Sequence, residues 1–267
     1  MTAAAAPDNQ RVSGARNAVG PETGRVCLRL LDSFELERDG HPVLVPFASQ
    51  KLIAFLALRG EFVRRTFLAG SLWPDTTDDR AHRCLRSALW RIRSLDVPLL
   101  EATPSRVRIL PSVVVDIREQ IESAHRALDG SCPSGRQDFT ALGGDLLPDW
   151  YDDWVVFERE RLRQLRLHAL EASAERLLGD GRFADAVETL HAALRAEPLR
   201  ESSHRILVET YLAEGNRGEA LRHYREYRER LERGLGLQPG PELERLVQQL
   251  TPSRRGGTTR DGAVTIR

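Results

Sequence analysis

Lysine, cysteine and long apolar runs are all scarce in this sequence. Lys51 is the single lysine among 267 residues, and an ATPase of the P-loop type is excluded because that loop needs Gly-Lys followed by serine or threonine. Cys27, Cys84 and Cys132 are far apart and form no CxxC pair, which indicates reduced thiols rather than a disulfide framework or a zinc site. The sequence has no run of about 18 apolar residues and no signal-peptide pattern at its start. We therefore expect a cytoplasmic protein without a membrane partner.

Catalytic motifs are also missing. The sequence contains no GxSxG, HExxH or GxGxxG pattern and no zinc-finger spacing. Its seven histidines are scattered, and surface positions or packing between helices explain them better than catalysis does. Asp149, Asp152 and Asp153 are close together, but the acidic first turn of a helix explains them more simply than a metal site. The expectation is a protein that is not an enzyme and takes no metal, cofactor or nucleotide.

One cationic stretch interrupts the balanced charge of the chain. The formal net charge is +0, which argues against a uniformly basic nucleic-acid protein but allows basic and acidic residues to be segregated. Between Asp79 and Leu95 the sequence has five arginines and one aspartate. Arginine suits DNA because its planar fork bridges two acceptors on a guanine edge or grips a phosphate.

The periodicity of this stretch predicts a helix with two different sides. Its apolar residues recur at helical spacing and predict a buried stripe. They are Ala81, Leu85, Ala88, Leu89, Ile92 and Leu95. The opposite side carries Arg80, Arg83, Arg86, Ser87, Trp90, Arg91 and Ser94. Taken alone, the stretch also fits an ordinary surface helix in an arginine-rich protein.

Short predicted elements surround this helix in a definite order. Three segments of β-formers, residues 26–31, 33–37 and 41–46, predict a small antiparallel sheet with a hairpin turn at Asp39-Gly40. Two helices are expected next, one capped by Ser49 and running to Arg59, the other near Thr66 to Leu72. After the basic helix, segments 97–101, 106–110 and 113–115 predict a β-hairpin tipped with Arg106 and Arg108.

The order of sheet, two helices, basic helix and hairpin predicts a winged helix-turn-helix. We expect this α+β fold, of the response-regulator output type, over residues 25–117, with the third helix in the major groove and the hairpin wing on the adjacent backbone. Within residues 25–117 stand the stretches VCLRLLDSFELERDGHPVLV and QKLIAFLAL and the ending LWRIRSL of the basic helix. In these stretches and their order the segment resembles the DNA-binding half of the Streptomyces antibiotic regulatory proteins, a family of actinobacterial transcription activators.

A repeat with a period of 34 residues characterises the second half. That period is the length of a tetratricopeptide helix hairpin. The pairs are Leu178 and Leu212, Gly181 and Gly215, Ala186 and Ala220, and Leu190 and Tyr224. Residues 118–250 are therefore expected to form an all-α, tetratricopeptide-like domain, and they resemble the bacterial transcriptional activation domain of the same regulators in WYDDWVVFERERLRQLRLHALE and GLGLQPGPELERL. Residues 1–24 are expected to be a disordered leader and residues 251–267 a flexible tail.

Candidate DNA contacts follow from the exposed face of the basic helix. Arg80, Arg83 and Ser87 are expected to reach base edges. Arg86 and Arg91 flank them as expected phosphate contacts, and Trp90 contacts either DNA or a neighbouring protomer. Further phosphate contacts are expected from Lys51, Arg64, Arg65, Arg106 and Arg108, although one wing arginine pairing with Asp116 is an alternative.

Aromatic residues at the start of the second half are candidates for a partner site. They are Trp150, Tyr151, Trp154 and Phe157. The interpretation that we favour is structural, because such residues also fill a junction with the helices that follow them. The two alternatives stay open at the level of the sequence.

The resemblance implies a function beyond what the residues give. It implies an activator of secondary-metabolite genes that binds promoter direct repeats as side-by-side protomers and engages RNA polymerase, including its sigma subunit. The absence of a P-loop implies a short, stand-alone member without nucleotide control. One competing function is a helical adaptor whose winged helix does not read DNA, and the zero net charge together with Asp75, Asp78 and Asp79 favours it.

Overall fold

Residues 24–131 and 143–248 are described by the computed structural model. The predicted tail, nearly all of the predicted leader, and Cys132 lie outside these residues. A small region of sheets and three helices comes first, and a mostly helical region follows it. In the described part of the chain no helix is both long enough and apolar enough to cross a membrane.

The first sheet contains the three predicted strands and a fourth. β1 (Val26–Arg29), β2 (Glu35–Arg38) and β3 (His41–Pro42) are antiparallel, and β7 (Val114–Val115) lies parallel to β1, so the order is β3-β2-β1-β7. The Asp39-Gly40 turn has positive φ at both positions, 52° and 78°, as a two-residue hairpin turn requires. β3 ends earlier than predicted. Pro42 and Pro46 lack the N–H that a strand donates.

The first helix corrects one prediction about capping. α1 (Phe47–Arg59) begins directly after Pro46, so Ser49 does not cap it. Ser49 is buried in the first turn, and its hydroxyl lies 3.4 Å from the carbonyl oxygen of Ala88. The helix ends as expected at Gly60, where a φ of 70° requires the left-handed conformation that glycine adopts easily.

The next two helices and a second sheet complete this region. They are α2 (Arg65–Leu72), α3 (Asp78–Arg93), β4 (Val63–Arg64), β5 (Leu100–Ala102) and β6 (Arg106–Ile109). The sheet order is β4-β6-β5, so the predicted β5–β6 hairpin is present and gains a third strand. The expectation that residues 113–115 continue this hairpin is wrong, because β7 pairs with β1 in the other sheet.

The described residues of the second region form six helices. They are α4 (Asp116–Leu128), α5 (Asp153–Gly179), α6 (Phe183–Ala196), α7 (Glu201–Ala213), α8 (Arg217–Leu235) and α9 (Pro241–Gln248). The 34-residue repeat corresponds to two helix pairs, with Gly181 and Gly215 at equivalent turns and positive φ values of 72° and 89°. Ala186 and Ala220 are fully buried at equivalent positions, as close helix packing requires.

The two tryptophans near the start of α5 pack in the opposite direction from the one we predicted for the aromatic residues there. The Trp150 ring stacks on Phe34 at 6.1 Å and meets the edge of Phe47 at 5.2 Å, and Trp154 meets Phe55 at 5.1 Å. These partners belong to the first region, so the predicted junction with the following helices is wrong. The cause is that the chain before α5 runs antiparallel to the residues that follow β1, where the N–H of Leu147 bonds to the carbonyl oxygen of Leu30.

Two histidines of the helical region are buried against each other. Nδ1 of His204 lies 2.8 Å from Nε2 of His223, and Nε2 of His204 lies 3.0 Å from the carbonyl oxygen of Pro198. The His204 ring stacks on Tyr227 at 4.0 Å. Burial lowers the pKa of both histidines from 6.5 to about 4. Charged and titratable side chains that influence the pair are His191, Glu201, Arg222 and Arg230.

We expect the free energy of unfolding to fall as the pH drops below neutrality. In the unfolded chain the two histidines take up protons below pH 6.5, whereas the folded protein keeps them neutral down to about pH 4. Protons therefore favour the unfolded state across this window, by roughly 2 kcal/mol for each histidine and roughly 4 kcal/mol for the pair at about pH 5. Urea unfolding at about pH 7.5 and pH 5 measures the difference. His223→Gln should flatten the pH dependence and exposed His168→Gln should preserve it; an unchanged dependence in His223→Gln would contradict the assignment.

Candidate nucleic-acid interface

The two sides of α3 differ as the periodicity predicts. Ala81, Leu85, Ala88, Leu89 and Ile92 are buried in the core that α3 shares with α1 and the sheets. Arg80, Arg83, Arg86, Ser87, Trp90 and Arg91 are exposed. The helix ends at Arg93, two residues earlier than predicted, where the Ser94 N–H and hydroxyl both bond to the carbonyl oxygen of Trp90.

The arginines of α3 carry charge that the described part of the protein does not neutralise. All five are exposed, and within residues 24–131 and 143–248 none of their side chains forms a hydrogen bond or an ion pair. Elsewhere arginines commonly have partners, such as Glu35 for Arg29 and Glu171 for Arg200. Two aspartates, Asp78 and Asp79, lie in the first turn, so α3 keeps an excess of three positive charges.

One of these arginines was missed by the sequence prediction. Arg93 is exposed and follows Arg86 by seven residues, or two helical turns, so it extends the same cationic side. That spacing was available in the sequence.

Two further arginines without acidic partners among the described residues lie on the three-stranded sheet. Arg64 of β4 is directly opposite Arg106 of β6 in the antiparallel register, and both are exposed. Residues that face each other in this way share one side of the sheet, and like charges there destabilise it. Among the described residues neither side chain has an acidic partner. An anion is the group that would relieve this repulsion.

The other predicted wing and scaffold cations are held by the protein. Arg65 donates to the carbonyl oxygen of Thr103 at 3.1 Å, which fastens the hairpin turn. Arg108 pairs with Glu101 at 2.6 Å and lies 4.3 Å above the Phe62 ring. Lys51 contacts Asp152 at 2.5 Å. These three side chains are less available to DNA than Arg64 and Arg106.

The suggested pairing of a wing arginine with Asp116 is wrong. The Asp116 carboxylate accepts hydrogen bonds from the backbone N–H groups of Leu30, Leu31 and Ile117, at 2.7 to 3.0 Å. It therefore joins β1 to the start of α4. Arg106 is left without that partner.

The candidate partner residues divide into two kinds. Trp150 is only 9% exposed and Trp154 is half-buried, whereas Tyr151 is 81% and Phe157 76% exposed. Only the second pair offers an aromatic surface. Across the described ranges, no group of three or more histidine, cysteine, aspartate or glutamate side chains has a geometry that could hold a metal ion.

Comparison with known proteins supplies an independent observation. The description of the bacterial transcriptional activator domain matches residues 116–251. The chain is similar to regulatory protein AfsR of Streptomyces coelicolor, with 28% identity over 242 residues that cover 86% of this chain and 24% of that protein. It is also similar to transcriptional regulatory protein EmbR of Mycobacterium tuberculosis, with 26% identity over 269 residues, 91% of this chain and 69% of that protein. The chain thus spans about a quarter of the length of AfsR.

A solved structure supports the same architecture. Mycobacterium tuberculosis EmbR in complex with a low affinity phosphopeptide matches with a TM-score of 0.66 and 24% sequence identity. The match covers 85% of this chain and 65% of that chain. At this identity the likeness concerns the fold alone: a small region with β-strands followed by a mostly helical region.

Proposed function

This chain belongs to the bacterial transcriptional activator domain family, with the domain order of the Streptomyces antibiotic regulatory proteins, and on that premise we propose that it is a sequence-specific DNA-binding transcriptional activator. In this proposal residues 25–117 are a winged helix-turn-helix of the response-regulator output type, and residues 118–250 are a tetratricopeptide-like domain that binds a protein. α3 is the recognition helix, and the three-stranded sheet is the wing.

The observation that carries the proposal is the set of arginines without protein partners. Arg80 and Arg83 occupy the N-terminal half of the exposed side of α3, where base edges are reached in this motif, and Ser87 lies just past the middle of the helix. Arg86 and Arg91 flank them. Arg64 and Arg106 form a pair on the sheet that suits two adjacent backbone phosphates. Arg65 and Arg108 support the wing and contact DNA less directly.

The helical region would bring a protein partner to the promoter. By the same resemblance, the partner is RNA polymerase, including its sigma subunit, and protomers bind side by side on promoter direct repeats of secondary-metabolite genes. Among the described residues of this region, Tyr151 and Phe157 are the aromatic side chains that are open to a partner. Trp150 and Trp154 pack against the first region and so hold the first turns of α5 in place.

A titration of salt distinguishes this proposal from a helical adaptor that does not read DNA. With Arg64, Arg86, Arg91 and Arg106 on phosphates, the logarithm of the affinity should fall with the logarithm of the salt concentration with a slope of about −3.5 per protomer. The measurement uses promoter fragments on which the full chain leaves a footprint. Weak binding to every fragment, with no dependence on salt, favours the adaptor.

Two arginine substitutions should have different effects on specificity. Arg83→Ala is expected to cost on the order of 1–3 kcal/mol on the footprinted site and to relax base preference there, because a base contact is lost. Arg64→Ala should weaken specific and random DNA alike and make the salt slope less steep by about one. Gel-shift titrations on both DNAs measure these changes, with exposed Arg225→Ala on α8 as the control. Equal weakening of both DNAs by Arg83→Ala would reassign Arg83 to a phosphate.

A further inference from the structure

Trp90 occupies the centre of the cationic side of α3. It follows Arg83 by seven residues and Ser87 by three, so all three project from the same side of the helix. Its side chain is 69% exposed, whereas Trp73 and Trp154 are half-buried and Trp150 is buried. A large apolar ring lies here among arginines, on the side of the helix opposite the buried stripe.

Among the described residues, this ring has no aromatic or cationic partner: no aromatic ring stacks on Trp90, and no cation lies above it. The exposed indole therefore adds nothing evident to the core. A ligand that binds this side of α3 must carry negative charges that pair with the arginines. It must also present one apolar group to the Trp90 ring.

The major groove of DNA has these properties. Its edges are lined with phosphates, and each thymine places one apolar group, the C5-methyl, on its floor. We propose that Trp90 reads a thymine in the binding site by packing its ring on that methyl group. This inference depends on the proposed function and adds to it the chemical class of base read by the fourth turn of α3.

The helical rise gives the position of that thymine. Seven residues of α-helix cover about 10.5 Å, which corresponds to about three base pairs of DNA. The thymine is therefore expected about three base pairs from the base that Arg83 contacts. Packing on a methyl needs the ring but not the indole N–H, so phenylalanine should replace tryptophan with little loss.

Removal of the methyl alone tests the proposal. The full chain is titrated on the footprinted duplex, in which each thymine in turn is replaced by deoxyuridine. At one position the wild type should lose about fourfold in affinity, since burial of one such carbon is worth about 0.8 kcal/mol. Trp90→Ala should bind the thymine duplex about tenfold more weakly and no longer respond to deoxyuridine at that position. Trp90→Phe should still respond, and Leu235→Ala, which removes an exposed side chain from α8, should behave as wild type.

The remaining outcomes overturn the inference and identify the reason. If no deoxyuridine position matters to the wild type, Trp90 does not read a methyl. Trp90→Phe being as weak as Trp90→Ala would indicate a hydrogen bond from the indole N–H. A Trp90→Ala variant that binds one half-site normally but two half-sites without cooperativity would assign Trp90 to contact between protomers. Each of these results requires that the wild type bind DNA specifically. Failure of the proposed function would instead appear as salt-independent binding of the wild type to all DNA, so the two failures are distinguishable.

Discussion

Replacing Trp150 by alanine should lower the free energy of unfolding by about 3–5 kcal/mol, as large aromatic truncations in cores do. The ring is 9% exposed and lies among Phe34, Phe47 and Trp154. Its loss leaves a cavity between the first region and the start of α5. Urea denaturation followed by circular dichroism measures the effect as a shift of the unfolding midpoint.

The neighbouring residue provides a matched control. Tyr151 is 81% exposed, so Tyr151→Ala should change the free energy of unfolding by less than about 0.5 kcal/mol. Equal effects of the two substitutions would mean that the packing of Trp150 contributes little. If the unfolding transition of Trp150→Ala divides into two steps, the Trp150 ring couples the unfolding of the two regions in the wild type.

Contacts near Trp150 indicate that the two regions are tightly joined. Trp150, Val155 and Leu162 belong to the same hydrophobic core as β1, α1 and α3. Lys51 pairs with Asp152 across the boundary, and Arg118 of α4 donates to the carbonyl oxygen of Ala57. The arginine side of α3 is therefore held in a fixed orientation relative to α5. In the proposed function, DNA bound at α3 would set where the helical region meets its partner.

Local periodicity explains what the sequence could predict. The stripe of α3 follows from spacing within one helix, and the Asp39-Gly40 turn follows from the conformations that its residues allow. The 34-residue repeat needs only comparison of the chain with itself. Each of these signals is carried by residues close in sequence or by identical spacing, so no knowledge of long-range pairing was necessary.

Long-range pairing explains what the sequence could not predict. The opposition of Arg64 and Arg106 depends on the register of two strands about 40 residues apart, for which single residues carry no signal. The parallel pairing of β7 with β1 has the same origin. Serine is a residue type that often caps helices, but α1 begins earlier than Ser49, directly after Pro46. The Ser49 hydroxyl is therefore buried, facing α3. The limits of the two domains stay a prediction, since the core of the first region includes residues of α5.

The ion pair between Glu171 and Arg200 is expected to hold the two helix pairs of the repeat together. Glu171 accepts hydrogen bonds from Nε and Nη2 of Arg200 at 2.8 and 2.9 Å, and from the hydroxyl groups of Ser202 and Ser203. Burial alone would raise the pKa of Glu171, but these hydrogen bonds offset it, and the pKa lies below its ordinary value. Both side chains are mostly buried, at 10% and 16% exposure.

Glu171→Ala should therefore lower the free energy of unfolding by about 3–5 kcal/mol, because it leaves the Arg200 charge buried without its partner. Glu175→Ala is the matched control on the next turn of α5: its carboxylate is exposed, lies 3.6 Å from Arg205, and should contribute less than about 1 kcal/mol. The double variant Glu171→Leu with Arg200→Met should recover much of the loss, since it removes both charges and keeps the volume. Urea denaturation of the four proteins measures these differences. If the double variant is as unstable as Glu171→Ala, the cause is the loss of hydrogen bonds to the start of α7 and not the unpaired charge.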